Sequence, residues 1–181
     1  MIDPQTIQLI PIFDSSGMNK DFELIYEETF PPDERREWSQ IIDLLNNPDF
    51  SFTGIYRQEQ IIGFIIVWNL HEFSFIEHFA ILESERGQGI GKHAIEKILS
   101  LISTLVILEV EIPESEIARK RIRFYEKLNF SICESEYFQP PYSIHKNKVK
   151  MLLMSYPKRI MDASFAHLKT KIYSSVYQFS E

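Results

Sequence analysis

Apolar residues along this chain recur at two spacings, every second position or every third and fourth, and the switches between the two mark out its elements. Thr6 to Phe13 alternates as a first strand, and Met18 to Phe30 follows as a helix with Phe22, Ile25, Tyr26 and Phe30 near one stripe. Pro31-Pro32 stops that helix. Asp33 reads as the N-cap of a second helix reaching about Asn46, with Trp38, Ile41, Ile42 and Leu45 apolar and Pro48 just past its end. Phe50 to Arg57 and Gln60 to Leu70 make a hairpin around Gln58-Glu59, and Phe73 to Leu82 is a third strand beside them. Ile90, Ala94, Ile95, Ile98, Leu99 and Ile102 return at helical spacing from Gly89 to about Ser103. Leu105 to Ile112 is then a strand parallel to its predecessor, and a helix runs from Pro113-Glu114-Ser115 to near Asn129. Phe130 to Phe138 and Val149 to Tyr156 close the pattern as a strand pair around a long loop, Gln139 to Lys148. Beyond Tyr156 an appended helix is expected, carrying Ile160, Phe165, Leu168, Ile172 and Val176.

The order β-α-α-β-β-β-α-β-α-β-β predicts an α/β fold, a mixed sheet with helices on both faces. With 181 residues, 44% of them hydrophobic, one domain can enclose a substantial core. The expected division is a domain over residues 1–156 with a helical extension of the same domain over 157–181.

Charge and composition remove several classes of function. A net charge of -7 argues against a nucleic-acid partner, whose phosphates need a basic surface, and favours a cationic one. The longest apolar stretch, Ile61 to Leu70, is too short to span a membrane, and the N-terminus with Asp3 and Pro4 lacks a signal pattern. A soluble, cytoplasmic protein with no membrane partner is the expectation. Cys133 is the single cysteine and reads as a small buried hydrophobe. The five histidines show no ligand spacing, so no metal is expected. Basic residues gather at Arg86 and Lys92 and along Arg119, Lys120, Arg121 and Arg123. The second group fits either phosphate contacts or a solvated helix face.

One segment carries more chemistry than any other. The third strand feeds directly into Glu83-Ser84-Glu85-Arg86-Gly87-Gln88-Gly89-Ile90-Gly91-Lys92, where three alternate glycines open a helix. Glycines permit φ > 0 and close backbone approach, so successive N–H groups can converge on a phosphate at a helix N-terminus. A dinucleotide fingerprint fails here at Lys92 or Ala94, and a P-loop fails at Arg86 and His93. What remains, Arg-x-x-Gly-x-Gly after a strand, resembles the acetyl-CoA-binding motif of the GNAT superfamily of acyl-CoA N-acyltransferases. The element order resembles that fold independently, over about Thr6 to Tyr156, and Phe124-Tyr125-Glu126-Lys127-Leu128-Asn129-Phe130 resembles a second family motif. The resemblance implies acetyl-CoA as cosubstrate, held by Arg86, Gly87, Gln88, Gly89, Ile90, Gly91 and Lys92. It also implies a strand splayed from its parallel neighbour, with Phe79, Ala80 and Ile81 along the pantetheine arm and carbonyl.

Candidate catalytic groups follow. By alternation Glu77 shares a strand face with Phe73, Phe75, Phe79 and Ile81, with His78 opposite. A lone carboxylate there must be paired, hydrated or raised in pKa. Glu77 is the candidate base that deprotonates an amine acceptor, a buried and satisfied Glu being the alternative. Tyr125 occupies the position that the resemblance assigns to the general acid, with simple packing as its alternative. Two residues depart from the family pattern. Ala118 stands seven before Tyr125, where an Asn often touches the cofactor, and Arg121 four before it, where Ala is usual. Pro31 to Arg36 and Tyr137 to Tyr142 are candidate walls of the acceptor pocket.

The expected activity is direct transfer of acetyl from acetyl-CoA to a primary amine of a small molecule, peptide or protein. The alternatives are a non-catalytic acyl-CoA-binding or sensing module of the same fold, and an interaction protein whose terminal helix contacts a second copy as a homodimer.

Overall fold

The computed structural model describes residues 7–180; Thr6, the expected start of the first strand, lies outside them. The elements are β1 (Ile7–Ile12), α1 (Lys20–Thr29), α2 (Trp38–Leu44), β2 (Phe50–Arg57), β3 (Gln60–Asn69), β4 (Phe73–Ile81), α3 (Ile90–Leu101), β5 (Leu105–Glu111), α4 (Glu116–Glu126), β6 (Ser131–Ile132), β7 (Tyr137–Gln139), β8 (Val149–Tyr156) and α5 (Asp162–Ile172). α5 runs on into one wide turn, Tyr173–Tyr177. The eight strands form one sheet in the order β1-β2-β3-β4-β5-β8-β6, with β7 also on β8. Every pairing is antiparallel except β4 with β5.

Local chemistry accounts for most boundaries. The β2–β3 turn places both Gln58 and Glu59 at positive φ, as a two-residue hairpin turn requires. Asn19 caps α1 by accepting from Asp21 N, and Ser115 caps α4 by accepting from Ala118 N. Asp33 is not the N-cap expected of it. Pro32–Glu34 forms a separate short turn, and α2 begins after Glu37, in a capping box with Gln40. The Asp33 carboxylate instead accepts from Asn147 N and Nδ2 at 3.0 and 3.1 Å. The strand expected over Phe130 to Phe138 is broken in two. Between the β6 and β7 pairings this chain advances five residues while β8 advances three, so residues 134–136 leave the ladder after Cys133 N donates to Leu153 O.

Two cores lie on opposite faces of the sheet. One gathers Phe22, Tyr26, Ile41, Phe52, Phe64, Trp68, Phe75 and Leu153 beneath α1, α2 and α5; the other gathers Ile76, Ile95, Val106, Leu108, Ile122, Tyr125 and Met154 beneath α3 and α4. The apolar stripe of the terminal segment is buried in the first core through Ile160, Leu168, Ile172 and Val176. Its docking surface is thus the chain's own sheet. Among the described residues no helix is long and apolar enough to cross a membrane.

Candidate active site

The pairing of β4 with β5 runs from Phe73/Leu105 to Ile76/Leu108 and stops, although both strands continue. A one-residue bulge in β4 coincides with the separation. Ile66 faces His78 while Val67 faces Ile76, so Glu77 has no partner on β3. The bulge also resets the alternation, which the sequence reading carried straight through. Glu77 and His78 both lie on the α1 face, His78 with ring centroids 5.0 Å from Tyr26 and 4.4 Å from Phe30. Phe79 and Ile81 turn to the other face, where Phe79 stacks on Phe124 of α4. The expected single face of Phe73, Phe75, Glu77, Phe79 and Ile81 is corrected accordingly.

Beyond the bulge the backbone orientation can be read from β3. The Ala80 carbonyl oxygen lies 2.2 Å from where a Cβ on Gly63 would stand, and Leu82 N donates to Ile62 O. Ala80 therefore directs its polar groups at β3, and Phe79 and Ile81, one residue to either side, direct theirs into the split. Arg86 Nε donates to the Ile81 carbonyl at 2.9 Å and ties the glycine loop to the strand. Gly87 and Gly89 adopt φ of 78° and 82°, and Gly89 is the N-cap of α3 with no side-chain cap bond. The first N–H groups of a twelve-residue helix thus point outward uncapped, which suits a diphosphate. A Cβ on Gly91 would lie 3.6 Å from both Phe79 and Phe124, so the start of α3, the open strand and α4 meet there. Ile90 is buried under the loop, Lys92 is exposed beside Glu96, and Gln88 reaches back to Ser84 O.

On the α1 face the split is closed by a buried polar cluster. Glu77 is fully enclosed and accepts from Arg36 Nε at 2.9 Å, Trp68 Nε1 at 2.6 Å and Tyr142 OH at 2.9 Å. Burial raises its pKa, but Arg36, His78, Trp68 and Tyr142 together outweigh that and hold the carboxyl below its usual range. Such a group anchors an ion pair and is a poor base. Arg36 stacks over Tyr142, 4.6 Å from the ring centroid, and donates from Nη2 to Val176 O at 2.6 Å. One strand away, Glu109 accepts from Tyr137 OH and from Tyr177 OH, the latter at 2.8 Å. Burial pushes its carboxyl up to about 7 against those two bonds. The sequence reading missed Trp68, Glu109 and Tyr177, and held Arg36 only as the end of a candidate acceptor wall. Glu109 carried a signal like the one that singled out Glu77, an acid within an apolar strand run, Leu105 to Val110.

At the open end of the split, Arg121 of α4 pairs with Glu111 at the end of β5. Two groups feel this pair. Tyr125 is buried, and burial pushes its phenol up to about 12, with Arg121 and Glu111 acting in opposite senses. No hydrogen bond to its hydroxyl is found among the described residues. Glu34, half-buried in the α1–α2 loop, is raised to about 7 by burial and by Glu111, against Arg121. Its backbone carbonyl lies 3.0 Å from His78 Nε2, which fixes the loop over the bulge. The α1–α2 and β7–β8 loops are clasped above the cluster: Gln139 donates to Asp33 O, Asn147 to Asp33, and Lys146 to Arg35 O while pairing with Glu37. A cleft of about 770 Å³ between α1 and the β2–β3 turn shares no lining residue with any of these groups.

A splayed parallel strand pair, a bulge at the split and a glycine loop capping the next helix define an acyl-CoA-binding architecture. Residues 16–130, more than half of the chain, match the model of the acetyltransferase (GNAT) family, and the chain belongs to that family. A protein from Bacteroides thetaiotaomicron described as a GNAT-family acetyltransferase is similar over 96% of this chain and 99% of its own, with 31% identity and a TM-score of 0.87. Two more distant structures share the fold. Arabidopsis thaliana Naa50, in complex with the bisubstrate analogue CoA-Ac-MVNAL, has 19% identity and a TM-score of 0.64 over 84% of this chain and 99% of its own. The ribosomal-protein-S18-alanine N-acetyltransferase of Escherichia coli has 13% identity and a TM-score of 0.60 over 86% and 96%. No curated protein sequence matches the chain.

Proposed function

We propose that this chain is an N-acetyltransferase that moves acetyl directly from acetyl-CoA to a primary amine of a small molecule or peptide. The observation that carries the proposal is the split itself, with the glycine loop beside it and, near the Arg121–Glu111 pair at its open end, Tyr125 and Glu34. Bound acetyl-CoA supplies an acetyl thioester already activated toward amines. The N–H groups from Gly87 to Lys92 hold the diphosphate, with Arg86 bracing the loop. Phe79 and Ile81 offer backbone N–H groups where carbonyl charge develops. Glu34, whose carboxylate is free of protein donors among the described residues, takes the proton from the acceptor ammonium. Tyr125, protonated throughout the working range, returns a proton from Oη to the departing sulfur as the N–C bond replaces the C–S bond. Glu77 is a positioning residue that holds Arg36, Trp68 and Tyr142 in place. The bisubstrate analogue CoA-Ac-MVNAL bound to Naa50, and the name of the Escherichia coli structure as an S18-alanine N-acetyltransferase, support an amine acceptor on this fold.

The locked state of Glu77 favours one competing reading, a non-catalytic acyl-CoA sensor. Release of coenzyme A thiol over a panel of amines separates the two. Thiol release that depends on amine, and rises with pH through about 7 in the wild type, is the expected result. Glu34→Gln should remove that inflection and leave acetyl-CoA affinity intact. A flat response to every amine despite acetyl-CoA binding would leave the sensor as the function.

A further inference from the structure

A second cavity, about 540 Å³, lies between the β7–β8 loop and the terminal segment. Its walls include Phe138, Pro140, Lys148, Lys169, Tyr173 and Phe179. In a chain of net charge -7 this lining is basic. Its one acid, Glu136, pairs with Lys150 at 3.4 Å, and Lys146 is already committed to Glu37 and Arg35 O. Lys148 has no carboxylate partner among the described residues. Its ammonium stands 4.9 Å from the centroid of Phe138, a contact that places the charge without neutralising it.

The walls are firm. Pro140 is buried, and Tyr173 OH donates to Phe138 O at 2.5 Å, joining the terminal segment to β7. The inner end of the cavity adjoins the acceptor side of the split. Gln139 and Asn147, both lining residues, hold Asp33, the residue before Glu34. β7 passes between the two spaces, with Tyr137 turned in to Glu109 and Phe138 turned out to the cavity.

We infer that this cavity is an acceptor subsite for a carboxylate carried on an aromatic or aliphatic body, read by Lys148 between Phe138 and Tyr173. The inference rests on the N-acetyltransferase reading for the word acceptor; the anion preference itself does not. A ring or alkyl chain covers Phe138, Tyr173 and Phe179, and the carboxylate meets an ammonium that has no carboxylate partner among the described residues. The acceptor is then an amine with an acidic group at its far end, such as a short peptide with an aromatic C-terminal residue.

The test separates the two claims. Binding of 3-phenylpropionate and of 3-phenylpropionamide to the full chain is followed at low salt by calorimetry and by amide NMR shifts. The acid should bind about tenfold more tightly than the amide, with shifts at Phe138, Lys148 and Tyr173 and a loss of preference in high salt. Lys148→Gln should bring the acid to the affinity of the amide, while Lys20→Gln, on the first helix, should change nothing. Equal affinities, no binding of either probe at tens of millimolar, or a preference that survives Lys148→Gln would overturn the site. The acceptor role is read from acetylation of Gly-Phe against Gly-Phe amide, where the free acid should have a KM about tenfold lower at similar kcat. Equal KM values would overturn the acceptor assignment. Absence of acetylation with every amine, while the carboxylate still binds, would mark the failure of the N-acetyltransferase reading instead.

Discussion

The two sides of the β4–β5 split are assembled from different materials. On the α3 side stands the glycine loop, main chain folded within residues 86–92 and tied to its strand by a bond only five residues long in sequence, Arg86 to Ile81. On the α1 side the surface is side chain, and its bonds join residues far apart: Arg36 to Glu77 across 41 positions, Tyr177 to Glu109 across 68, Gln139 to Asp33 across 106 and Arg36 to Val176 across 140. The conformation of such a loop is a local property of its own residues. The buried cluster exists only when five segments have already met. This difference also separates the comparisons: the matched family residues end at 130, before Tyr137, Tyr142 and Tyr177 have entered the chain.

The contrast can be challenged through stability and catalysis. The largest effect is expected for Arg36→Ala, which strands the enclosed Glu77 carboxylate without its cation and should cost about 3–5 kcal/mol in urea unfolding. A loss below about 1 kcal/mol would mean that the cluster is not what holds the acceptor side together.

Glu109 gives a pH signature of the same side. Its folded-state pKa lies above the unfolded one, so the folded chain binds the proton more tightly, and the stability this lends is present at low pH and lost as pH rises toward about 7. The swing is on the order of 3 kcal/mol between pH 4.5 and 7, and it should vanish in Glu109→Gln; melting at several pH values reads it.

On the cofactor side the effects should fall on function. Tyr125→Phe should reduce kcat by about 10²-fold with acetyl-CoA affinity unchanged in calorimetry, as expected for a group that acts only while the proton moves. Unchanged turnover would return Tyr125 to a packing role. The smallest change is expected for Gly87→Ala. A Cβ there meets nothing within 4 Å, so only the φ of 78° resists it, at about 1–2 kcal/mol. Its larger effect should be on acetyl-CoA binding, because the loop gives up the conformation that presents its N–H groups. A variant equal to wild type in both would break the backbone-cradle account.

Legibility in the sequence follows the same division. The glycine loop, the helix it opens, the hairpin at Gln58-Glu59 and the stripe from Ile160 to Val176 were all readable, because turn chemistry and hydrophobic period act over a few residues. Asp33 misled as a cap because its real partner, Asn147, lies 114 positions away. His78, Phe79 and Ile81 were placed on the wrong faces because one inserted residue inverts every later side chain, and a bulge leaves no mark in composition.

Glu77 shows most clearly where local information ends. That a carboxylate stands alone in an apolar strand, after which a glycine-rich turn opens a helix, is written in the order of the residues. Whether that carboxylate is a base or an anchor depends on Arg36, Trp68 and Tyr142 arriving within 3 Å of it. The pKa of a buried acid is set by the balance of lost hydration against nearby charge and donors, and those neighbours are chosen by packing rather than by sequence proximity. The glycine loop was therefore settled by short-range backbone chemistry, and the buried polar cluster opposite it by the way distant segments close over the sheet.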